Sequence, residues 1–129
     1  MGLGKWTATA CMSHSSKILS QIAELLGERE DAAYYKELSE KPAEAYIEIL
    51  MEKDCTVKKE FQTAYVLPLY YGMLSEEDKK KTAAHLARIV RENDYHIATG
   101  FPGTPYILFA LADYGYEEDA FKMLMTDTC

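Results

Sequence analysis

Three side chains suited to ligand contact lie close together in the stretch HIATGF, residues 96–101. The imidazole of His96, the hydroxyl of Thr99 and the ring of Phe101 can together hydrogen-bond a polar ligand and pack on its apolar face. Gly100 and Gly103 permit backbone angles and close approaches that a Cβ would prevent. The stretch therefore predicts a ligand-contacting turn with His96, Thr99 and Phe101 as candidate residues.

The residues that follow this turn fit the start of a helix. Threonine is a good N-cap and proline is favoured at the first helical position, so Thr104 and Pro105 are predicted to begin the next helix. Helix capping accounts for this pair, whereas it leaves the preceding turn unexplained.

No complete catalytic or metal-binding motif is present in the sequence. His14 and His85 lie on predicted helix faces, and the pairs Glu76–Glu77 and Glu117–Glu118 open predicted helices, so we expect structural roles for all of them. The three cysteines form no C-x-x-C pair, which indicates neither a disulfide framework nor a zinc site. We expect no metal and no cofactor.

Charge and hydropathy argue against two classes of partner. Twenty-one acidic residues against fourteen basic ones give a net charge of −7, whereas nucleic-acid binding needs clustered Lys and Arg. No apolar run approaches the roughly 20 residues of a membrane span, and no signal-peptide pattern is present. We expect no nucleic-acid and no membrane partner, and residues 1–5 read as an N-terminal extension or an expression remnant.

The elements that must position the turn are helices. Apolar residues recur at helical spacing and no sustained alternating run indicates a strand, so the fold class is all-α. Examples are the stripes Ile18–Ile22–Leu25–Leu26 and Ile107–Leu108–Leu111–Ala112. The predicted helices span residues 5–26, 29–53, 61–73, 76–93, 104–114 and 117–127.

Glycines and acidic clusters divide these six helices into pairs. Gly27, Gly72 and Gly115 each follow an apolar stretch and precede acidic residues, which is typical of a helix end followed by a helix start. Ser75 is a candidate N-cap. The glycines lie 45 and 43 residues apart, which predicts three consecutive αα-hairpins of an array or toroid.

Two prolines fall inside predicted helices. Pro42 indicates either a kink or the first turn of a separate helix, and Pro68 indicates a kink, because apolar residues surround it. Longer connections join the hairpins at residues 54–60 and 94–103, and binding residues usually lie on such connections. The candidate turn belongs to the second of them.

Three segments resemble the catalytic domain of bacterial α-L-rhamnosidases. They are WTATA…SKILSQIAELLG (6–27), EFQTAYVLPLYYGMLSEEDKK (60–80) and YHIATGFPGTPYILFALADYGYEEDAFKMLM (95–125). The likeness runs through the chain from Trp6 onward and keeps the order of segments. Its specific parts are the block Gln62–Tyr65 and the block Thr99–Tyr106.

The resemblance implies an α/α barrel of six hairpins, about half of which residues 6–129 would form. It implies hydrolysis of terminal α-L-rhamnosyl bonds with inversion, which needs one carboxylic acid and one carboxylate. We expect the segments bearing both groups to lie outside this chain, so no catalytic residue is assigned here. Five residues are expected to line the sugar pocket: Gln62, His96, Thr99, Phe101 and Thr104. The partner would be a rhamnose-containing glycoside, and uncovered hairpin flanks would favour self-association.

Two other functions are compatible with the same helices. A stand-alone α-helical repeat module for protein or peptide binding would explain the period of about 44 residues, although such modules need polar capping repeats. Another glycosidase or lyase on the same barrel is a further alternative, because a fold does not fix a substrate.

Overall fold

The computed structural model describes residues 3–128, so part of the predicted extension and Cys129 lie outside it. Regular structure within that range is helical, which confirms the all-α fold class. The seven helices of these residues are α1 (Leu3–Leu26), α2 (Arg29–Leu50), α3 (Gln62–Tyr70), α4 (Glu76–Glu92), α5 (Gly100–Gly103), α6 (Ile107–Ala112) and α7 (Glu117–Met125). The short turns after α1, α3 and α6 produce the three predicted hairpins.

The predicted helix ends are confirmed at the tight turns. Gly27, Gly72 and Gly115 have φ values of 79°, 65° and 88°, the left-handed conformation that closes a helix. The hydroxyl of Ser75 accepts a hydrogen bond from the backbone N–H of Asp78 at 3.2 Å, so Ser75 is the N-cap of α4.

Several predicted helix boundaries are wrong, including the end of α3, which lies at Tyr70 rather than at residue 73. α2 ends at Leu50 rather than at residue 53, because the chain turns back and Met51 pairs with Val57 in an isolated antiparallel bridge. α2 runs without interruption through Pro42, which excludes a separate helix starting there. The prediction of one helix over 104–114 is also wrong, since a four-residue helix precedes α6.

The chain divides into two compact units, of which the first extends to Ile49 and contains α1 and most of α2. Three contacts between these helices lie at successive levels along them. The rings of Trp6 and Tyr46 meet edge to face, the Ser13 hydroxyl donates to the Ser39 carbonyl at 2.8 Å, and the Ser20 hydroxyl donates to the Ala32 carbonyl at 2.7 Å. Successive contacts lie seven residues apart on each helix, the spacing at which one helix face recurs after two turns.

The apolar stripe predicted on α1 does not form this contact. Ile22, Leu25 and Leu26 are 46%, 88% and 73% exposed, whereas the buried α1 positions are small residues. These are Ala10, Ser13, Ser16 and Ala23. Small side chains let the two backbones approach, so serine hydroxyls reach the carbonyls of α2.

The second unit begins at Leu50 and contains the α3–α4 and α6–α7 hairpins. They lie side by side, with α3 against α6 and α4 against α7. Eight of the nine residues of α3 are buried, so this helix forms the centre of the unit. A two-pronged ion pair joins α4 to α7, because the Arg91 guanidinium donates to both carboxylate oxygens of Asp119 at 2.8 and 2.6 Å.

Candidate functional site

The two longer connections of the second unit carry the unusual backbone conformations. We name residues 51–61, between α2 and α3, the first connection, and residues 93–106, between α4 and α6, the second connection. Within the described residues, the non-glycine residues with positive φ are Cys55 in the first and Asp94 and Tyr95 in the second. Left-handed residues of this kind cost energy and cluster at functional sites, which directs attention to these connections.

The second connection begins with a tight reversal after α4. The backbone N–H of His96 donates to the Asn93 carbonyl at 3.0 Å, and the Asn93 side-chain amide donates back to the His96 carbonyl at 3.0 Å. The His96 ring repeats the contact, because its Nδ1 lies 3.0 Å from the same Asn93 carbonyl. A carbonyl can only accept, so Nδ1 carries the proton in this arrangement. Nε2 meets the Thr128 hydroxyl at 3.0 Å.

The Gln62 side chain fixes the middle of the second connection. Gln62 is the first residue of α3 and only 3% exposed. Its Nε2 donates to the His96 carbonyl at 3.0 Å and its Oε1 accepts from the Ala98 N–H at 2.7 Å. The Gln62 amide thus binds the carbonyl that precedes Ile97 and the N–H that follows it.

The next residue of α3 fixes the following part of the same connection. The Thr63 hydroxyl donates to the Thr99 carbonyl in a buried hydrogen bond. Gly103 packs directly onto this pair, since a Cβ at that position would lie 2.9 Å from Thr63 Oγ1 and 2.9 Å from Thr99 Cβ. Gly103 therefore permits the close approach that the sequence predicted. Gly100 has φ of 61°, the other predicted use of glycine here.

Thr104 is not the N-cap of the following helix, which corrects the sequence prediction. Its backbone is helical, with φ of −55° and ψ of −42°, and α6 begins only at Ile107. The Thr104 hydroxyl instead donates to the Gly100 carbonyl at 2.7 Å and lies 2.7 Å from the Thr99 hydroxyl. Thr104 therefore closes the C-terminal end of α5 by bonding to the carbonyl of its first residue, Gly100.

The five predicted site residues fall into two groups. Gln62 and Thr99, 3% and 4% exposed, turn inward and bond to residues of the second connection. Phe101 is 93% exposed, and His96 is half-buried. Thr104 is exposed and lies beside Thr99. Hydrogen bonds link Gln62 to the backbone at His96 and link Thr99 to Thr104, whereas contact of any of the five with a sugar stays a prediction.

The first connection is held by the same turn of α3. The Tyr65 hydroxyl accepts a hydrogen bond from the Val57 N–H at 3.0 Å and donates to the Glu60 carboxylate at 2.7 Å. Arg88 on α4 forms an ion pair with the same carboxylate of Glu60. His85 stacks on the Tyr65 ring and its Nε2 meets the Asp54 carbonyl at 3.0 Å. Both connections are therefore attached within residues 62–65.

The ionisable groups of this attachment have shifted pKa values. Burial, followed by the hydrogen bond to Glu60, raises the pKa of Tyr65 to about 12. The hydrogen bonds from Tyr65 and from Arg88 lower the pKa of the Glu60 carboxyl. Glu60 is thus held as a carboxylate by two donors.

Sequence reasoning missed Thr63, Tyr65 and Asn93 as residues that organise the site. The first two lie inside the Gln62–Tyr65 block that carries the resemblance, and this was the available signal. The described hydrogen bond of the Asn93 side chain lies within its own turn, and nothing in the sequence distinguishes this residue. Among the described residues, no three His, Cys, Asp or Glu side chains assemble as a metal-ion site, and no helix there is both long and apolar enough to cross a bilayer.

Residues 3–129 match the sequence model of the bacterial alpha-L-rhamnosidase 6 hairpin glycosidase domain. The chain belongs to this family. Two curated relatives are each named alpha-L-rhamnosidase. The relative from Formosa agariphila is 35% identical over 124 residues, which are 93% of this chain and 13% of the relative. The relative from Streptomyces avermitilis is 34% identical over 117 residues, which are 91% of this chain and 11% of the relative.

Solved structures agree with this membership of the rhamnosidase family. The crystal structure of Streptomyces avermitilis alpha-L-rhamnosidase complexed with L-rhamnose has a TM-score of 0.85 at 34% identity, with 94% of this chain and 12% of that chain covered. The native Aspergillus terreus alpha-L-rhamnosidase also has a TM-score of 0.85, at 31% identity, with 92% and 14% covered.

This family domain consists of six helical hairpins, and the present chain contributes three. The chain spans about an eighth of the length of the relatives it matches. These comparisons do not favour the alternative of a stand-alone repeat module.

Proposed function

We propose that this chain is part of the catalytic domain of an α-L-rhamnosidase, a glycoside hydrolase that removes terminal α-L-rhamnosyl residues. In this proposal residues 6–129 supply barrel scaffold and one wall of the sugar pocket, and residues 1–5 are an extension. The observation that carries it is the family match over residues 3–129, together with 34% identity to an enzyme crystallised with L-rhamnose. The substrate class is therefore a rhamnose-containing glycoside.

The second connection is the proposed pocket wall. The Phe101 ring projects from a backbone that Gln62 and Thr63 hold in place, and it is almost fully exposed. Rhamnose is a 6-deoxy sugar whose methyl group and C–H faces are apolar, so an aromatic ring can pack against it. The Thr104 hydroxyl and the His96 ring are the polar groups that the same connection would offer to sugar hydroxyls in this proposal.

Inverting hydrolysis requires a carboxylic acid that protonates the leaving oxygen and a carboxylate, typically about 6.5–9.5 Å away, that activates water. We assign neither group to this chain, since the family resemblance implies that other segments carry both, and two described carboxylates of the second unit serve structure. Glu60 is bound by Tyr65 and Arg88, and Asp119 is bound by Arg91. The contribution of this chain is to bind and orient the sugar, which lowers the entropic cost of reaching the transition state.

The test compares this chain alone with the full-length protein on an aryl α-L-rhamnoside. We expect turnover by the full-length protein and none by the isolated chain, because both catalytic carboxylates would be missing from it. Release of the aryl group is followed by absorbance, with heat-inactivated protein as the blank. Turnover by the isolated chain would contradict the assignment of both carboxylates to other segments, and an inactive full-length protein would contradict the proposed activity.

A further inference from the structure

We propose that Gln62 is a positioning residue for the sugar wall, and that it acts because its neutral amide binds one backbone acceptor and one backbone donor of the second connection at once. The effect on turnover rests on the proposed function, whereas the effect on the connection itself does not. We assign Gln62 no catalytic role, since the hydrogen bonds of its buried side chain to the described residues go to backbone groups.

The geometry requires a side chain that both donates and accepts. The His96 carbonyl can only accept and the Ala98 N–H can only donate, so their partner must offer one hydrogen and one lone pair. The two contacts at 3.0 and 2.7 Å use one end of Gln62 each. A primary amide has this pairing at any pH at which the protein is folded.

Gln62 contacts the segment 96–98, which leads directly to Phe101, and other hydrogen bonds hold the two ends of this segment. The His96 carbonyl keeps its bond from the Asn93 amide, and the Thr99 carbonyl keeps its bond from Thr63, when Gln62 is changed. The Ala98 N–H, in contrast, has Gln62 as its hydrogen-bonding partner. Loss of the amide therefore loosens residues 96–98, immediately before the exposed ring, while both ends of the segment stay attached.

The variant Gln62→Glu distinguishes the hydrogen-bonding role of Gln62 from a role in packing alone. An ionised carboxylate can accept from the Ala98 N–H, but its second oxygen would face the His96 carbonyl with like partial charge. A protonated carboxyl has one O–H donor and one carbonyl acceptor, which restores both contacts of glutamine. Burial and the facing carbonyl both disfavour ionisation, so the pKa of the introduced carboxyl is expected to rise above its usual value of about 4.3.

The experiment measures kcat and KM of the full-length protein on an aryl α-L-rhamnoside between about pH 4 and pH 8. The variants are Gln62→Glu, Gln62→Leu and, as a matched control, Gln21→Glu on the exposed surface of α1. Each value is divided by that of the unchanged protein at the same pH, so that titration of the shared catalytic groups cancels.

We expect the ratio for Gln62→Glu to rise about tenfold from pH 8 to pH 4, as the two hydrogen bonds return. The ratio for Gln62→Leu should stay low and flat, and the control should stay near one. Because the wall binds the sugar, KM should change more than kcat. Gln62→Leu should also accelerate amide hydrogen exchange in a peptide covering residues 96–104 of the same protein.

Three results would overturn the inference. They are a pH-independent ratio for Gln62→Glu, unchanged exchange over residues 96–104 in Gln62→Leu, and a change in kcat alone. Failure of the proposed function looks different. In that case the unchanged protein would not hydrolyse the rhamnoside. Exchange over residues 96–104 in Gln62→Glu, divided by that of the unchanged protein at the same pH, would still slow as the pH falls, which would support the positioning of the connection by Gln62.

Discussion

The contact between Gly103 and the first turn of α3 offers a quantitative test of the site. In Gly103→Ala the new Cβ would lie 2.9 Å from both Thr63 Oγ1 and Thr99 Cβ, and 3.2 Å from Thr99 Cγ2. Ordinary carbon contacts are about 3.5–4.0 Å, so Gly103 and Thr99 must separate within the second connection, and Gly103 must also move away from Thr63 on α3 by several tenths of an ångström. That movement also weakens the buried hydrogen bond from Thr63 to the Thr99 carbonyl.

The expected magnitude is the sum of three effects. Overpacking of a close contact costs about 1–3 kcal/mol. Loss of the Thr63 hydrogen bond costs about 1 kcal/mol. Alanine favours the helical turn by about 1 kcal/mol, because the φ of Gly103 is not left-handed. The net effect is a loss of about 1–3 kcal/mol in the free energy of unfolding.

The assay is equilibrium urea unfolding followed by circular dichroism at 222 nm. Gly4→Ala is the matched control, since an added Cβ at Gly4 meets no atom within 4 Å. That variant should be neutral or more stable, by up to about 1 kcal/mol. If Gly103→Ala unfolds at the same urea concentration as the unchanged chain, the close approach to α3 does not exist in solution.

Two further predictions concern stability and association. Tyr65→Phe should lower the free energy of unfolding by about 1–3 kcal/mol at neutral pH, because it removes both hydrogen bonds of a buried hydroxyl. The Tyr65 pKa of about 12 lies above its unfolded value of about 10, so its contribution is complete below pH 10 and is lost as the pH rises toward 12. Denaturant unfolding at pH 8 to 11 should therefore show a shallower alkaline decline in the variant, and an equal decline would contradict the assignment. The exposed apolar face of α1 should drive self-association of the isolated chain. The double variant Leu25→Gln with Leu26→Gln should shift the sedimentation-velocity distribution toward the monomer. A monomeric unchanged chain at high concentration would refute this prediction.

Local signals in the sequence were sufficient to place the tight turns between paired helices. The glycine closures at Gly27, Gly72 and Gly115 and the Ser75 cap depend on a few neighbouring residues, and all four are confirmed. The prediction that Thr104 is a helix N-cap was wrong for a related reason. A capping prediction assumes where the helix begins, and here a helical turn had already begun at Gly100, attached through Thr99 to α3.

Contacts between distant residues were beyond the sequence. Gln62 meets the backbone at positions 96 and 98, more than thirty residues away, and no local pattern fixes such a pair. Hydrophobic periodicity also selected the wrong face of α1. Periodicity identifies large apolar residues. The contact with α2 instead depends on small residues of α1, such as Ser13 and Ser20, which let the two helices approach closely.

The seven-residue register of the first hairpin restricts how its length can change. Trp6, Ser13 and Ser20 face α2 only because each lies two full turns from the next. Inserting one residue into α1 would rotate everything beyond it by about 100°, and the serine hydroxyls would lose their carbonyl partners. Adding seven residues to both helices at the same level would keep every pair and lengthen the hairpin by roughly 10 Å. Homologous hairpins built on this contact are therefore expected to differ in length by whole repeats of seven residues in each helix.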